Sequence, residues 1–144
     1  MAAVKHQRAK GFTLIEVLIA IVLIGVAIAA LVASNAAFTQ SNAAGTELST
    51  AEFLIEQIKE LTATRDYDDV VGFDGDIFSP PIDVNSQPLI EFTGFVQQVT
   101  VVNVNPADFD QVVADPNSDF IRVTVEVLLN GRQISSQSWI RANY

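Results

Sequence analysis

Residues 10–33, KGFTLIEVLIAIVLIGVAIAALVA, contain one long apolar run that carries an acid near its start. From Phe12 to residue 33, only Thr13, Glu16 and Gly25 interrupt the apolar side chains. An apolar helix needs roughly 20 residues, at a rise of about 1.5 Å each, to cross the hydrocarbon core of a bilayer. The run therefore predicts a membrane-spanning helix, in which Glu16 requires an explanation.

The charges are distributed unevenly around this run. Lys5, Arg8 and Lys10 precede it without an acid among them, whereas the chain after residue 33 holds sixteen Asp or Glu against five Lys or Arg. A basic flank stays on the cytoplasmic side of a spanning helix, so we expect the acidic part outside the cytoplasm. The same acidity argues against nucleic acid as a partner, because DNA binding depends on cations that neutralise phosphates.

Two ordinary interpretations of the run compete with a third. A cleavable secretory signal would use a small-residue site such as Ala27-Ile28-Ala29. The apolar region of such a signal is usually roughly 7 to 15 residues long, which is shorter than this run. A plain membrane anchor would tolerate Glu16, because a charge costs least near the interface. In the third interpretation the chain is cut between Gly11 and Phe12. The new amino group and Glu16 then pair between staggered copies of the chain, since a buried charge is acceptable when it is paired.

Residues 11–16, Gly-Phe-Thr-Leu-Ile-Glu, follow a short basic leader and precede the apolar helix. This arrangement resembles the class III signal of type IV prepilins and type II secretion pseudopilins. The resemblance implies that Gly11 precedes the scissile bond and that Phe12 becomes the N-methylated first residue. It also implies that Glu16 partners the N-terminus of a neighbouring subunit in a filament.

The pattern becomes amphipathic after residue 33. Apolar residues recur at spacings of three and four, which predicts a helix with one buried stripe: Leu48, Ala51, Ile55, Ile58 and Leu61. We expect one helix from Phe12 to about Thr64, with a kink or soft spot near Gly45. The segment Ser49-Thr50-Ala51-Glu52 has the spacing of a capping box that restarts the helix.

Residues 65–88 have the turn and breaker residues of a loop. The clustered acids of this loop favour a calcium hypothesis, with Asp74 and Asp76 as the candidate ligands. The spacing does not match an EF-hand, because from Asp66 the sixth position is Val71 and the twelfth is Ile77. A solvated acidic loop is therefore the main interpretation, with no other cofactor expected.

Three strands and a short helix are predicted beyond the loop. Residues 89–104 are rich in β-branched and aromatic residues, and residues 105–113 open with an N-cap and a first-turn proline, which favours a short helix. Phe120 to Leu129 alternates cleanly, and Asn130-Gly131 is a strong two-residue hairpin signal.

That turn pairs Leu129 with Arg132, and therefore Ile121 with Ile140 and Val125 with Ser136. It also places Arg122 opposite Trp139 on the outer face, as a cation–π pair or, alternatively, with Trp139 as a partner contact.

The inventory of reactive side chains is small. The chain has no cysteine, and its single histidine, His6, lies in the leader that cleavage would remove. Nucleophilic sites built on Ser-His or Cys-His and ordinary transition-metal sites are therefore not expected, and we predict that the protein is not an enzyme. Nothing in the sequence distinguishes one carboxylate pair for glycoside hydrolysis among the many acids.

The sequence thus predicts an α+β, pilin-like fold: a long N-terminal helix, transmembrane in its first half, packed on an antiparallel sheet of three or four strands. The predicted segments are a removed leader (1–11), a transmembrane or filament-core helix (12–33), its amphipathic continuation (34–64), and a loop plus sheet in the periplasm (65–144). Residues 51–61 also resemble the long helix of minor pilins and I-type pseudopilins.

By this resemblance we expect a minor pilin or pseudopilin in the bacterial inner membrane and later in a filament. The implied partners are a prepilin peptidase, other pilin or pseudopilin subunits and an assembly ATPase with its platform. Because the chain lacks the C-terminal disulfide of many major pilins and keeps Glu16, a low-copy subunit of the I or V kind fits best. The rival hypothesis is a monomeric, membrane-anchored binding domain or adhesin.

Overall fold

The computed structural model describes residues 11–114 and 118–143. The predicted leader, up to Lys10, lies outside these residues. The chain divides into two units, Met1–Ala43 and Ala44–Tyr144. One helix, α1 (Leu14–Thr64), begins in the first unit and ends in the second. It begins two residues later than predicted, ends at the predicted residue, and is assigned as α-helix throughout, including Gly45.

The second unit is built on an antiparallel sheet of five strands rather than three or four. The strands are β1 (Ile77–Phe78), β2 (Phe95–Asn105), β3 (Asp108–Val112), β4 (Phe120–Leu129) and β5 (Arg132–Ala142). The main path has the order β1-β2-β4-β5, and β3 pairs with β2 away from that path. A short helix, α2 (Tyr67–Val71), and a 3-10 turn (Ile90–Phe92) lie between α1 and β2.

The core of this unit lies between the second half of α1 and the inner face of the sheet. The predicted stripe is confirmed at four positions, and Leu48 is the exception, with 43% of its surface exposed. Leu54 belongs to the buried stripe instead, fully enclosed. The completed stripe packs against the valine-rich faces of β2 and β4, so the burial of apolar surface holds the helix to the sheet.

The bounds of β4 and the turn that follows it are as predicted. Alternate residues of β4 are fully buried, namely Ile121, Val123, Val125 and Val127. Asn130 and Gly131 have φ angles of 51° and 79°, which is the left-handed backbone that a two-residue hairpin turn requires. Leu129 pairs with Arg132, as the turn dictates.

The predicted register beyond the turn is wrong. Val127 pairs with Ser135, and Leu128 pairs with Gln133, so Ile134 is an extra residue that forms a β-bulge. Because the side-chain period of a strand is two, one extra residue moves every later side chain of β5 to the other face of the sheet.

The bulge changes the neighbours of the side chains that follow it in β5. Trp139 lies opposite Val123 and packs against the core, while Arg122 lies opposite Ile140. The predicted Arg122–Trp139 pair is therefore wrong. Arg141 reaches the end of α1, where its guanidinium donates hydrogen bonds to the carbonyl oxygens of Thr62 and Arg65. These carbonyls have no partner within a helix, so a cation there stabilises the helix end.

Three smaller predictions also differ from the structure. The expected loop at 65–88 contains α2 and β1, because Asp66 opens a helical turn that buries Val70. The strand predicted from Leu89 begins only at Phe95, because residues 90–92 form the 3-10 turn. The capping box at residues 49–52 does not form, because α1 continues through this segment and its N–H groups already have partners within the helix. The hydroxyl of Thr50 donates to the carbonyl of Thr46 one turn earlier.

The short helix predicted over residues 105–113 is a strand, β3. The side chain of Asn105 accepts a hydrogen bond from the N–H of Ala107 at 2.9 Å, so it closes a local turn instead of capping a helix. The chain then pairs back on β2, where Val112 lies opposite Val104. An Asn-Pro turn thus has the same local signature in a hairpin as at a helix start.

A buried glutamine connects β2 with α1 and with the segment around Ile82. Gln97 of β2 accepts the N–H of Ile82 at 2.8 Å and donates to the carbonyl oxygens of Leu54 and Ile82 at 2.9 and 3.2 Å. Its side chain is fully buried with these bonds satisfied. A buried polar group that is fully hydrogen-bonded fixes geometry, whereas removal of one partner leaves the others unpaired.

We expect Gln97→Leu to destabilise the fold by roughly 2 to 4 kcal/mol, because two backbone groups of Ile82 lose their partner in a dry environment. Thermal unfolding of the full chain in detergent, followed by circular dichroism, measures this loss. Gln98→Leu is the matched control, since Gln98 is the next residue on the opposite face and is only partly buried. Equal melting temperatures for the two variants would contradict the prediction.

Candidate functional site

The candidate site is the segment that leads into α1. Residues 11–13 precede the helix without regular structure, and Phe12 is 85% exposed. A Cβ atom added at Gly11 would have no atom within 4 Å apart from its chain neighbours. The peptide bond between Gly11 and Phe12 is therefore open to an enzyme, and folding does not require glycine at position 11.

Thr13 and Glu16 form a capping box at the start of α1. The backbone N–H and the hydroxyl of Thr13 both donate to Oε2 of Glu16, each at 2.9 Å. In return, the N–H of Glu16 donates to the hydroxyl of Thr13 at 3.3 Å. The first turn of a helix has N–H groups without partners, and this reciprocal arrangement satisfies two of them.

Sequence reasoning missed Thr13, although the signal was present. A threonine followed three residues later by a glutamate, just before an apolar run, is the capping-box pattern. The structure brings Thr13 and Glu16 together and leaves Gly11 and Phe12 exposed beside them. In a single chain, the carboxylate of Glu16 is thus hydrogen-bonded to Thr13, the residue that follows Phe12.

The first part of α1 is exposed along its length in the part of the chain that the structure describes. Every residue from Leu14 to Ala43 is exposed, and the most apolar 18-residue window of α1 is not buried at all. By length and composition this helix is able to cross a membrane. A helix that is apolar on all sides is stable only inside a membrane or against other proteins.

Comparison with known families identifies this segment. A model of the prokaryotic N-terminal methylation motif matches residues 6–32, from the leader into α1. The chain carries the type IV pilin-class signal. No curated protein and no solved structure matches the chain.

Over residues 6–32 the motif indicates a substrate of the type IV prepilin class. It implies processing by a prepilin peptidase and assembly with other pilin subunits, and it agrees with anchoring in the inner membrane. The α+β pilin-like fold predicted from the sequence is confirmed. The match ends at residue 32, so it describes the N-terminal segment and not the sheet.

The acidic residues proposed for calcium lie on either side of Gly75, between α2 and β1. Oδ1 of Asp74 accepts a hydrogen bond from the N–H of Val101 at 2.8 Å, and the backbone of Asp76 pairs with Phe73 and Val99. Within residues 11–114 and 118–143, no three His, Cys, Asp or Glu side chains are placed to hold a metal ion. The calcium hypothesis stays a prediction.

A cleft of about 850 Å³ lies in the second unit, where the end of α1 meets the end of β5. Tyr67 lines it and donates its hydroxyl to the carbonyl oxygen of Ser118 at 2.9 Å. Partial burial raises the pKa of Tyr67, and the nearby carboxylates of Asp119 and Asp68 raise it further. The phenol therefore stays protonated and keeps donating this hydrogen bond at neutral pH.

The capping box leads to a prediction about the helix start. Thr13→Ala removes the hydroxyl partner, so we expect the first turn of α1 to fray, with a loss of about 1 kcal/mol. Thr13→Ser keeps the hydroxyl and is expected to behave like the parent. Hydrogen exchange of the amides of residues 14–16 in detergent micelles measures the change. Equal exchange in the alanine and serine variants would show that the side-chain cap does not hold this turn.

Proposed function

We propose that the protein is a minor pilin or type II secretion pseudopilin that is cut between Gly11 and Phe12 and joins a filament through α1. The observation that carries the proposal is the methylation motif, which coincides with an exposed segment at Gly11-Phe12 and an exposed apolar helix. Before assembly, the basic leader stays in the cytoplasm and the acidic second unit lies in the periplasm.

The proposed roles of the three signal residues follow from their positions. Gly11 gives the peptidase an unobstructed bond, and cleavage turns Phe12 into the first residue, with an amino group that is then methylated. Glu16 lies in the first turn of the helix, so its carboxylate is close to the new N-terminus along the chain. In the filament, we propose that it leaves Thr13 and pairs with the amino group of a neighbouring subunit. Both charges are then compensated in an apolar surrounding.

The assembly ATPase and its platform are the proposed source of the work that moves the subunit out of the membrane. Extraction of an apolar helix from lipid is unfavourable unless it enters another apolar environment. The exposed face of α1 supplies that environment when several copies or related subunits stack. The low-copy role of the I or V kind is part of this proposal, supported by the absence of cysteine and by the presence of Glu16.

The mass of the mature N-terminal peptide tests the proposal. We expect a chain that begins at Phe12 with one added methyl group when the protein is produced with its native peptidase. A chain that keeps its leader would favour the rival hypothesis, a monomeric anchored binding domain. A chain cut after Ala29 would favour a secretory signal instead.

A further inference from the structure

Strand β5 is an open edge of the sheet. It is eleven residues long and, within the part of the chain that the structure describes, pairs only with β4. Open edges are usually protected by charges, prolines or bulges, because their free N–H and C=O groups can bind another strand. Residues 133–140 contain no charge and no proline, and the bulge at Ile134 lies near one end. Most of this edge is therefore able to accept a strand.

Strand β5 carries no acidic side chain. The chain has no Asp or Glu after Glu126, although sixteen acids lie in residues 34–126. The only charged residues of β5 are Arg132, which pairs with the carboxylate of Glu47 at 2.7 Å, and Arg141, which donates to the carbonyl oxygens at the end of α1. Two copies of so acidic a chain repel one another over most of their surface, and an edge without acids lowers this repulsion where a strand with acids approaches.

Strand β3 of the same chain has the complementary properties. All five of its residues are exposed, and among the described residues it pairs only with β2. It carries two acids, Asp108 and Asp110, and two exposed apolar residues, Phe109 at 41% and Val112 at 54%. Ile140 of β5 is also exposed, at 36%, so both edges have apolar surface that a contact would cover.

The strand directions agree with such a contact. Strand β3 is antiparallel to β2, β2 to β4, and β4 to β5. It follows that β3 and β5 run in opposite directions. A second copy in the same orientation therefore presents its β3 antiparallel to β5. Two chains inserted in one membrane by the same helix have the same topology, which permits that arrangement.

We propose that the open edge of β5 binds β3 of a second copy of this chain, as an antiparallel extension of the sheet. The contact joins two different surfaces, so it is head-to-tail. One short strand pair buries little area and is weak in solution. Anchoring of both chains in one bilayer, which rests on the proposed function, supplies the effective concentration that it needs.

Site-directed crosslinking tests the contact directly, because the chain has no cysteine of its own. Two full-length variants, Ser136→Cys in β5 and Val112→Cys in β3, are co-expressed with different tags and treated in membranes with a short bismaleimide. We expect a mixed dimer, with a yield about tenfold above that of a pair in which Thr100→Cys replaces Val112→Cys, equivalent to one decade in association constant. Thr100 is the matched control, since it is exposed on β2, which has partners on both sides.

A charge exchange separates strand pairing from random collision. Gln137→Glu places an acid on β5 opposite the acids of β3, so we expect the mixed dimer to decrease to the control yield. Asp110→Lys in the other chain is expected to restore it. Tryptophan fluorescence during thermal unfolding checks that both variants keep their fold, since Trp139 is the only tryptophan. Yields equal to the control, or yields that ignore both charge changes, would overturn the proposal.

The same crosslink distinguishes this proposal from the proposed function. In cells without the prepilin peptidase the chain keeps its leader, and we expect the mixed dimer to form nevertheless. A dimer found only after processing would assign the proximity to filament packing and refute pairing of the strand edges. A dimer in both backgrounds, with a mature N-terminus other than Phe12, would refute the proposed processing and leave the strand contact intact.

Discussion

Gly11→Val is expected to leave the leader on the chain almost completely, while the fold stays unchanged. Glycine at this position has open space around it, so a larger side chain meets nothing in the protein itself. The pilin-class signal implies that a peptidase must accommodate the residue before the scissile bond. A branched side chain at that position obstructs the approach of the enzyme, so the effect falls on recognition and not on stability.

The measurement is the intact mass of the membrane-bound protein, produced together with the peptidase. The parent is expected to lose the eleven residues before Phe12, and the valine variant to keep them. Gly25→Val is the matched control, because that glycine also has open space around it and lies inside α1, away from the bond. Normal cleavage of Gly11→Val would show that the small residue is dispensable and would contradict the proposed cleavage site.

The two halves of the chain differ in how well the sequence predicts them. The helix end at Thr64, the bounds of β4 and the Asn130-Gly131 turn follow from local signals, namely periodicity, alternation and a backbone with positive φ. The bulge at Ile134 has no local signal, because it is decided by which side chains of β5 reach the core. The packing of Trp139 on the core is a tertiary contact that the hairpin alone does not contain.

The two capping-box patterns show that a local sequence signal alone does not decide the local structure. The same capping-box spacing occurs at residues 13–16 and at residues 49–52, but only residues 13–16 form the hydrogen-bonded cap. The difference lies in context: the helix starts at Leu14, where N–H groups lack partners, whereas at residue 49 it is continuous and no N–H group is free. A capping pattern therefore predicts a cap only where the helix actually begins, here after the irregular residues 11–13.

The aspartates of the loop at residues 65–88 predict a function less specifically than the motif at residues 11–16. A motif such as residues 11–16 combines residue type, spacing and flanking segments, whereas a set of aspartates has composition alone. Asp74 accepts a backbone hydrogen bond from β2, so part of this acidity stabilises the fold. The sequence contains no sign of that contact, since the two residues lie 27 positions apart.

Glu16→Gln is expected to allow cleavage but to reduce entry into the filament by roughly 100-fold. An uncompensated charge in an apolar helix bundle costs about 2.5 to 3.5 kcal/mol on insertion scales, and each 1.4 kcal/mol corresponds to a factor of ten. With glutamine at this position, the neighbouring amino group loses its counter-charge in the assembled state. The peptidase acts five residues earlier, on a bond whose exposure does not depend on Glu16.

Glutamine is more informative than alanine because of the capping box. Its amide oxygen still accepts the N–H and hydroxyl of Thr13, so the first turn of α1 is retained while the charge is lost. Glu16→Ala removes both the cap and the charge. We expect the two variants to fail equally in assembly, but only the alanine variant to show faster hydrogen exchange at residues 14–16.

The comparison separates two roles of one carboxylate. Filament content is measured as the fraction of tagged subunit in sheared or crosslinked assemblies, and processing is measured by mass in the same cells. If the glutamine variant assembled as well as the parent, the cap would be the role that matters and the proposed ion pair would be refuted. If glutamine fails while its helix start is intact, the charge itself is required. Glu16 then changes partners, from Thr13 in the separate chain to an amino group that exists only after the leader is cut.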